Sequence, residues 1–394
     1  MSESFRERLA RLRREPAKVE AGTADSIDGA AAEEAPAIET TAPEETGSPS
    51  VALPTWWRAR VSKRAPPRVE SLAPRELGEP ADLIDAANAR GAFAVREERF
   101  SLEHRHGSTQ LGSVRSVRAD LFALVAKDPR LADLDPQRAL FLDIETTGLS
   151  GGAGTKAFLV GLGWIERGEF VLWQGFLRGP EQEAALLHDV AERVAASSSI
   201  VTFFGKTFDR HRLEDKMRVH GVPPPFEARA HLDLYHPLRA LYRPALENAR
   251  LATLERVLCG VERADDLSGA FAPEAWYDFL AGRPHRLNRV FAHNRDDVLS
   301  LVTLCAHLGA LELEAPEPEA VDPASAGELA SRLEAARLRG LARALAHAKR
   351  WSECAALAKL ALSRGPVEGA RDELLELLGT AERRARRRAR RDVE

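Results

Sequence analysis

Ala139-Leu140-Phe141-Leu142-Asp143-Ile144-Glu145-Thr146-Thr147-Gly148 is an apolar run that ends in two acids and a turn. Side chains two apart on a strand share a face. Asp143 and Glu145 therefore project together from the strand end, while Leu140, Leu142 and Ile144 line its other face. Two neighbouring carboxylates at the end of a buried strand repel each other and are costly to desolvate. A divalent cation removes that cost, and hard oxygen ligands suit magnesium or manganese. The competing reading is a strand that runs into a surface turn and leaves both acids in water.

The flanking sequence supplies a layered fold. Residues 92–112 read as strands and Val114 to Lys127 as a helix, with order expected to begin near Gly91. Phe158 to Trp164 and Glu169 to Phe176 form a predicted hairpin through Ile165-Glu166-Arg167-Gly168. Glu181 to Ala196 has helical period. Ile200 to Phe204 and His231 to Tyr235 are short apolar strands, and Thr207 to His220 between them is a predicted helix. Beyond Leu251 the pattern is helical and ends in a long helix from about Arg286 to Leu311. Strands first, then alternating helices and strands, give an α/β class with a mixed sheet flanked by helices.

Composition excludes some classes. With 56 basic and 60 acidic residues the net charge is -4, so a uniformly basic surface is absent. The three cysteines, Cys259, Cys305 and Cys354, match no zinc spacing and fall in apolar helical patterns, as buried thiols in a reducing compartment do. No secretion signal or membrane-length apolar run is visible, which leads us to expect a cytoplasmic protein.

The ends differ from the middle. Residues 1–75 read as a disordered segment with a basic linker. Glu20 to Glu45 holds eight acids and no lysine or arginine, and Trp56 and Trp57 sit among arginines and lysines. Such tryptophans stack on single-stranded bases or pack onto a neighbouring domain. The folded domain is placed at 76–312. A proline-rich acidic linker (313–325) leads to a helical region (326–381) whose small and large apolar residues suit a helical hairpin. One tetratricopeptide-like unit is expected there, a possible surface for a protein partner. Residues 382–394 form an arginine-rich tail with seven arginines from Arg383 to Arg391. Such a run neutralises nucleic-acid phosphates or forms a solvated helix end; both readings stay open.

Two further acids are spaced to join the first pair. In Gly205-Lys206-Thr207-Phe208-Asp209-Arg210-His211-Arg212-Leu213, Gly205 permits a sharp turn and close approach of a ligand, and Thr207 is placed to cap the following helix. Asp209, Leu213 and Met217 share one helical face. In His293-Asn294-Arg295-Asp296-Asp297, helical phase aligns Asp297 with Val290, Leu301, Leu304 and Leu308 and turns Asp296 outward. His293 lies one turn before Asp297 on the same face. Asp233, another strand-borne acid, reads as structural or as support behind the ligands, with direct metal contact the lesser alternative. The glycine-rich Ser150-Gly151-Gly152-Ala153-Gly154-Thr155-Lys156 lacks the spacing of a phosphate-binding P-loop; it borders a groove or merely enters a hairpin.

Asp143-x-Glu145, Gly205-x-x-Phe208-Asp209-x-x-x-Leu213 and Asp297 resemble the three motifs of the DEDD exonuclease superfamily, which has the ribonuclease H-like fold. His231-Leu232-Asp233-Leu234-Tyr235-His236-Pro237, Leu251-x-x-Leu254-Glu255 and His293-Asn294-x-x-Asp297 are similar to its YprB-like branch. The resemblance covers about residues 90–310. It implies 3′–5′ exonucleolytic hydrolysis of single-stranded or frayed DNA or RNA with two Mg²⁺ or Mn²⁺ ions. It places Asp143, Glu145, Asp209 and Asp297 as metal ligands and makes His293 the group that orients or deprotonates the water. Thr146, Thr147, Gly148 and Gly205 would lie against the substrate. The superfamily carries a tyrosine four residues before the last aspartate or a histidine five before it; here a histidine stands four before. A structure-specific endonuclease with the same metals, or a non-catalytic nucleic-acid-binding scaffold, are the alternatives.

Overall fold

The computed structural model describes residues 75–148, 154–263, 269–310, 323–365 and 369–391. The acidic N-terminal stretch, the tryptophan-bearing linker, most of the glycine-rich stretch after Gly148 and the proline-rich linker lie outside these residues.

Seven strands form one sheet in the order β1-β2-β7-β6-β5-β8-β9. The strands are β1 (Ile84–Asn88), β2 (Gly91–Ser101), β5 (Ala139–Thr146), β6 (Ala157–Glu166), β7 (Glu169–Phe176), β8 (Ser199–Thr202) and β9 (Ala230–Asp233). Two-residue strands β3 (Arg105–His106) and β4 (Thr109–Gln110) pair separately. Pairing is antiparallel from β1 to β5, and β8 and β9 are added in parallel. The sheet is mixed, as the sequence predicted. The β6–β7 hairpin also forms as read. Its turn is Arg167-Gly168, both with positive φ (53° and 85°), the backbone that matches the twist of a two-residue hairpin.

Among the described residues ten helices cover the sheet or extend beyond it: α1 (Ala119–Ala126), α2 (Glu183–Ala196), α3 (Asp209–Val219), α4 (Tyr235–Tyr242), α5 (Leu251–Cys259), α6 (Ala272–Leu280), α7 (Leu287–Gly309), α8 (Pro323–His347), α9 (Trp351–Ser363) and α10 (Arg371–Arg391). Strand β5 divides the core by simple alternation. Leu140, Leu142 and Ile144 join Leu186 and Val190 of α2 in one apolar cluster. Ala139 and Phe141 join Val201, Leu232 and Val298 in the other. Asp143 and Glu145 continue the Phe141 face.

Helix α7 reaches the sheet because β6 is stripped of side chains where the two cross. A Cβ on Gly161 would come within 2.3 Å of Asn294, and one on Gly163 within 2.8 Å of Val298. The cysteines are free and buried, as expected. The C-terminal helices make a small core of their own, with Ala342, Leu345, Cys354, Ala358 and Leu374. Gly340 of α8 also packs against Leu241, where a Cβ would meet Cδ2 at 2.6 Å. Among the described residues no helix is long and apolar enough to cross a membrane.

Two expectations are corrected. Among the described residues regular structure begins at β1, ahead of Gly91, because Ile84–Asn88 pairs along the edge of β2 through backbone hydrogen bonds that alternation of side chains does not announce. Helix α3 starts at Asp209 and Phe208 occupies its cap position without a side-chain cap. The Thr207 hydroxyl instead donates to the Phe204 carbonyl at 3.2 Å, closing the turn before the helix.

Candidate active site

The four acids singled out in the sequence come from three parts of the fold: Asp143 and Glu145 from the end of β5, Asp209 from the first turn of α3, and Asp297 from the middle of α7. Their charges meet. Burial first, then the carboxylates of Asp143, Asp233, Glu145 and Asp297, push the Asp209 carboxyl well above the ordinary range. Burial and Asp297 push Asp143 up to about 7, against the opposing pull of His293, Asn294 and Arg263. Repulsion of this kind between buried carboxylates is what a cation or a proton relieves.

Asp143 is gripped by Asn294, whose Nδ2 donates to Asp143 Oδ2 at 2.8 Å. Asn294 is fully buried. Its Oδ1 accepts from Gln174 Nε2 at 2.9 Å, and the same Gln174 nitrogen donates to the Phe291 carbonyl at 2.8 Å. The chain β7–Asn294–Asp143 thus fixes α7 against the acidic end of β5, in the space left open by Gly161.

His293 faces the acids from the same helix. Its Nε2 lies 3.9 Å from Glu145 Oε1 and 3.6 Å from Asp297 Oδ2. Arg263 Nη1 approaches His293 Nδ1 at 3.3 Å. With Nδ1 accepting from a guanidinium, the neutral ring carries its hydrogen on Nε2 and directs it towards the two carboxylates.

Arg263 is the residue that sequence reading missed. It reaches Asp297 Oδ1 at 2.5 Å and holds Glu255 through Nε at 2.6 Å and Nη2 at 2.7 Å. Glu255 is buried and also accepts from the Ser300 hydroxyl at 2.5 Å. Ser300 Oγ in turn lies 2.8 Å from His106 Nε2. Burial pushes His106 down to about 4, which keeps the ring neutral at physiological pH. The path Asp297–Arg263–Glu255–Ser300–His106 therefore anchors one side of the acid cluster deep in the core. Glu255 stands in a segment already quoted for its resemblance. Arg263 lies between helices, where no periodicity marks it.

The remaining predicted residues divide. Gly205 is packed against the acid site: a Cβ there would come within 2.9 Å of Asp209 Oδ2. Thr147 is buried and ties the loop base, giving its backbone N–H to the Lys156 carbonyl and accepting from the Lys156 N–H at its hydroxyl, both at 2.9 Å. The Thr146 hydroxyl donates to the Gly148 carbonyl at 3.2 Å. A register shift between Glu145 and Thr146 marks where β5 leaves β6, so these residues shape the exit of the strand. Asp233 spends both oxygens on backbone: Oδ1 accepts from the Phe204 and Tyr235 amides at 2.8 and 3.1 Å, and Oδ2 from the Lys206 amide at 3.1 Å. That is a structural role, as read.

Asp143, Glu145, Asp209 and Asp297 are all oxygen donors, and the repulsion concentrated on Asp209 and Asp143 fits a site for hard divalent cations. As the side chains are placed, no three histidines, cysteines or carboxylates among the described residues stand close enough to grip one ion. Asp297 is held by Arg263 and Asp143 by Asn294. Seating an ion requires the carboxylates to draw closer together than they stand here.

A mixed sheet in which a central strand presents two acids towards a crossing helix defines a ribonuclease H-like α/β domain. Residues 140–309 match the RNase_H superfamily. The chain is also similar to a protein of Bacillus subtilis (strain 168) described as "Uncharacterized protein YprB". The two are 32% identical over 218 residues, which is 54% of this chain and 52% of that protein. The chain thus spans about half the length of the curated relative it matches.

Proposed function

We propose that the protein is a metal-dependent nuclease that removes nucleotides from the 3′ end of single-stranded or frayed nucleic acid. The observation that carries this is the convergence of charge on Asp209, whose carboxyl feels Asp143, Glu145 and Asp297 together. The match of residues 140–309 to the RNase_H superfamily supports hydrolysis of nucleic acid, and the resemblance of the three motifs to the DEDD superfamily supports the 3′–5′ direction.

Asp143, Glu145, Asp209 and Asp297 would hold two magnesium or manganese ions. Such ions, when bound, neutralise the scissile phosphate and supply an acidified water. The chain's own residues do the rest. Asn294 sets the rotation of Asp143. Arg263 orients His293 and sets a fixed positive charge beside Asp297. His293, with its hydrogen on Nε2, orients groups at the acids by donating; it accepts a proton there only after its ring changes tautomer. Gly205, where a side chain would clash with Thr202 and Asp209, lets the backbone run close against Asp209.

The test compares wild type with Asp143→Ala on matched single-stranded DNA and RNA, linear and circular, with Mg²⁺ or Mn²⁺. Stepwise shortening of linear strands by wild type, abolished by the substitution, is expected. Cleavage of circles would establish an endonuclease instead. Intact substrates with both proteins would reject the enzyme reading and leave a binding scaffold.

A further inference from the structure

Phe204 is the one aromatic among the exposed large apolar side chains of the described residues, at 45% exposure. Its backbone is left-handed (φ 62°), a conformation that bulky L-residues avoid. A glycine or asparagine at this position would serve the same turn without a bulky ring. The ring has company. Tyr235 packs edge-on to it at 5.0 Å between centroids, and His236 lies at 6.3 Å. Arg239 lies 6.0 Å from the Tyr235 ring centre. On the following turn Arg212 lies over Phe208 at 5.0 Å.

One carboxylate sets this group in place. Asp233 Oδ1 accepts from the backbone amides of both Phe204 and Tyr235, so the main chain beneath the two rings is tied to the same atom. The group also adjoins the acid cluster, because the residue after Phe204 is Gly205, which abuts Asp209. Rigid aromatic faces interleaved with guanidinium groups, beside a site suited to phosphodiesters, have the chemistry that takes unpaired bases: stacking on the ring and charge pairing along the backbone. Strain held in place by surrounding hydrogen bonds is characteristic of functional positions.

We propose that Phe204, backed by Tyr235, is a stacking platform for an unpaired nucleobase of the strand entering the acid site. The inference rests on the nuclease reading for the identity of the ligand as nucleic acid. Bases inside a duplex are stacked on both faces and offer none to this ring, so beyond a terminal pair the platform takes only single-stranded or frayed substrate.

The test measures binding of fluorescein-labelled single-stranded oligonucleotides by anisotropy, using the full chain carrying Asp143→Asn so that the strand stays intact. Phe204→Asn suits the left-handed backbone and preserves the turn; Phe204→Trp keeps an aromatic face. Loss of one stacked base weakens binding roughly 5- to 150-fold. That loss is expected for Phe204→Asn, with Phe204→Trp close to the parent. On an abasic strand the difference between Phe204 and Asn should vanish. Equal binding by Phe204→Asn and its parent, an equal loss on abasic and normal strands, or no detectable binding by the parent would overturn the proposal. Cleavage by the wild type on the same strands separates the two readings. Cleavage with ring-independent binding sinks the platform alone. Ring-dependent binding without cleavage sinks the nuclease alone.

Discussion

Asp143→Asn should stabilise the metal-free protein, and the gain should depend on pH. Burial and Asp297 raise the folded-state midpoint of Asp143 from an ordinary 3.8 to about 7. A carboxyl with a raised midpoint contributes its full stability below the unfolded value and loses it as pH rises through the folded one. In EDTA the wild type therefore loses stability between about pH 4 and pH 7 as this carboxyl is forced to ionise. At 1.36 kcal/mol per tenfold step, the displacement is worth about 4 kcal/mol at most. An amide at the same position keeps the oxygen that accepts from Asn294 and carries no charge. The variant should thus equal the wild type near pH 4 and exceed it by about 2–4 kcal/mol at pH 8. Guanidinium unfolding followed by fluorescence of the buried Trp173 and Trp276 reads this directly. Added Mn²⁺ should narrow the gap, because the ion stabilises only the ionised form. A difference that stays flat with pH, or a variant less stable than wild type throughout, would refute the assignment of repulsive strain to this acid.

Two other substitutions probe the framework. Arg263→Gln leaves the buried Glu255 without its main counter-charge and should cost about 3–5 kcal/mol in the same unfolding assay; the double variant with Glu255→Gln should recover much of it, and a single-variant loss below about 1 kcal/mol would remove the network from the account. Gly161→Ala drives a methyl into Asn294 and should cost about 1–3 kcal/mol while reducing strand cleavage. Adding Asn294→Ala should restore the stability but leave cleavage low.

Much of the architecture was legible because it obeys short periods. The alternation of Leu140, Leu142 and Ile144 against Phe141 and Asp143 appears unchanged in the two core clusters. The helical phase of α7 put His293 and Asp297 on the side that faces β5. What escaped was set by partners far away in the chain. Asn294 was read as one letter of a motif, and its importance comes from Gly161 and Gln174 on strands packed beneath it. Arg263 matters only because Glu255 and Asp297 flank it in space. Thr207 looked like a helix cap by composition, yet the turn placed its hydroxyl on Phe204. Phe204 itself gave no signal, since backbone handedness is invisible in a string of letters.

The grip of Asn294 on Asp143 also bears on how the chain matures. During synthesis the acids of β5 emerge from the ribosome long before α7 does. Until α7 docks across Gly161, the pair has neither its clamp nor its fourth carboxylate. The acid cluster is thereby completed only when α7 has closed over the sheet.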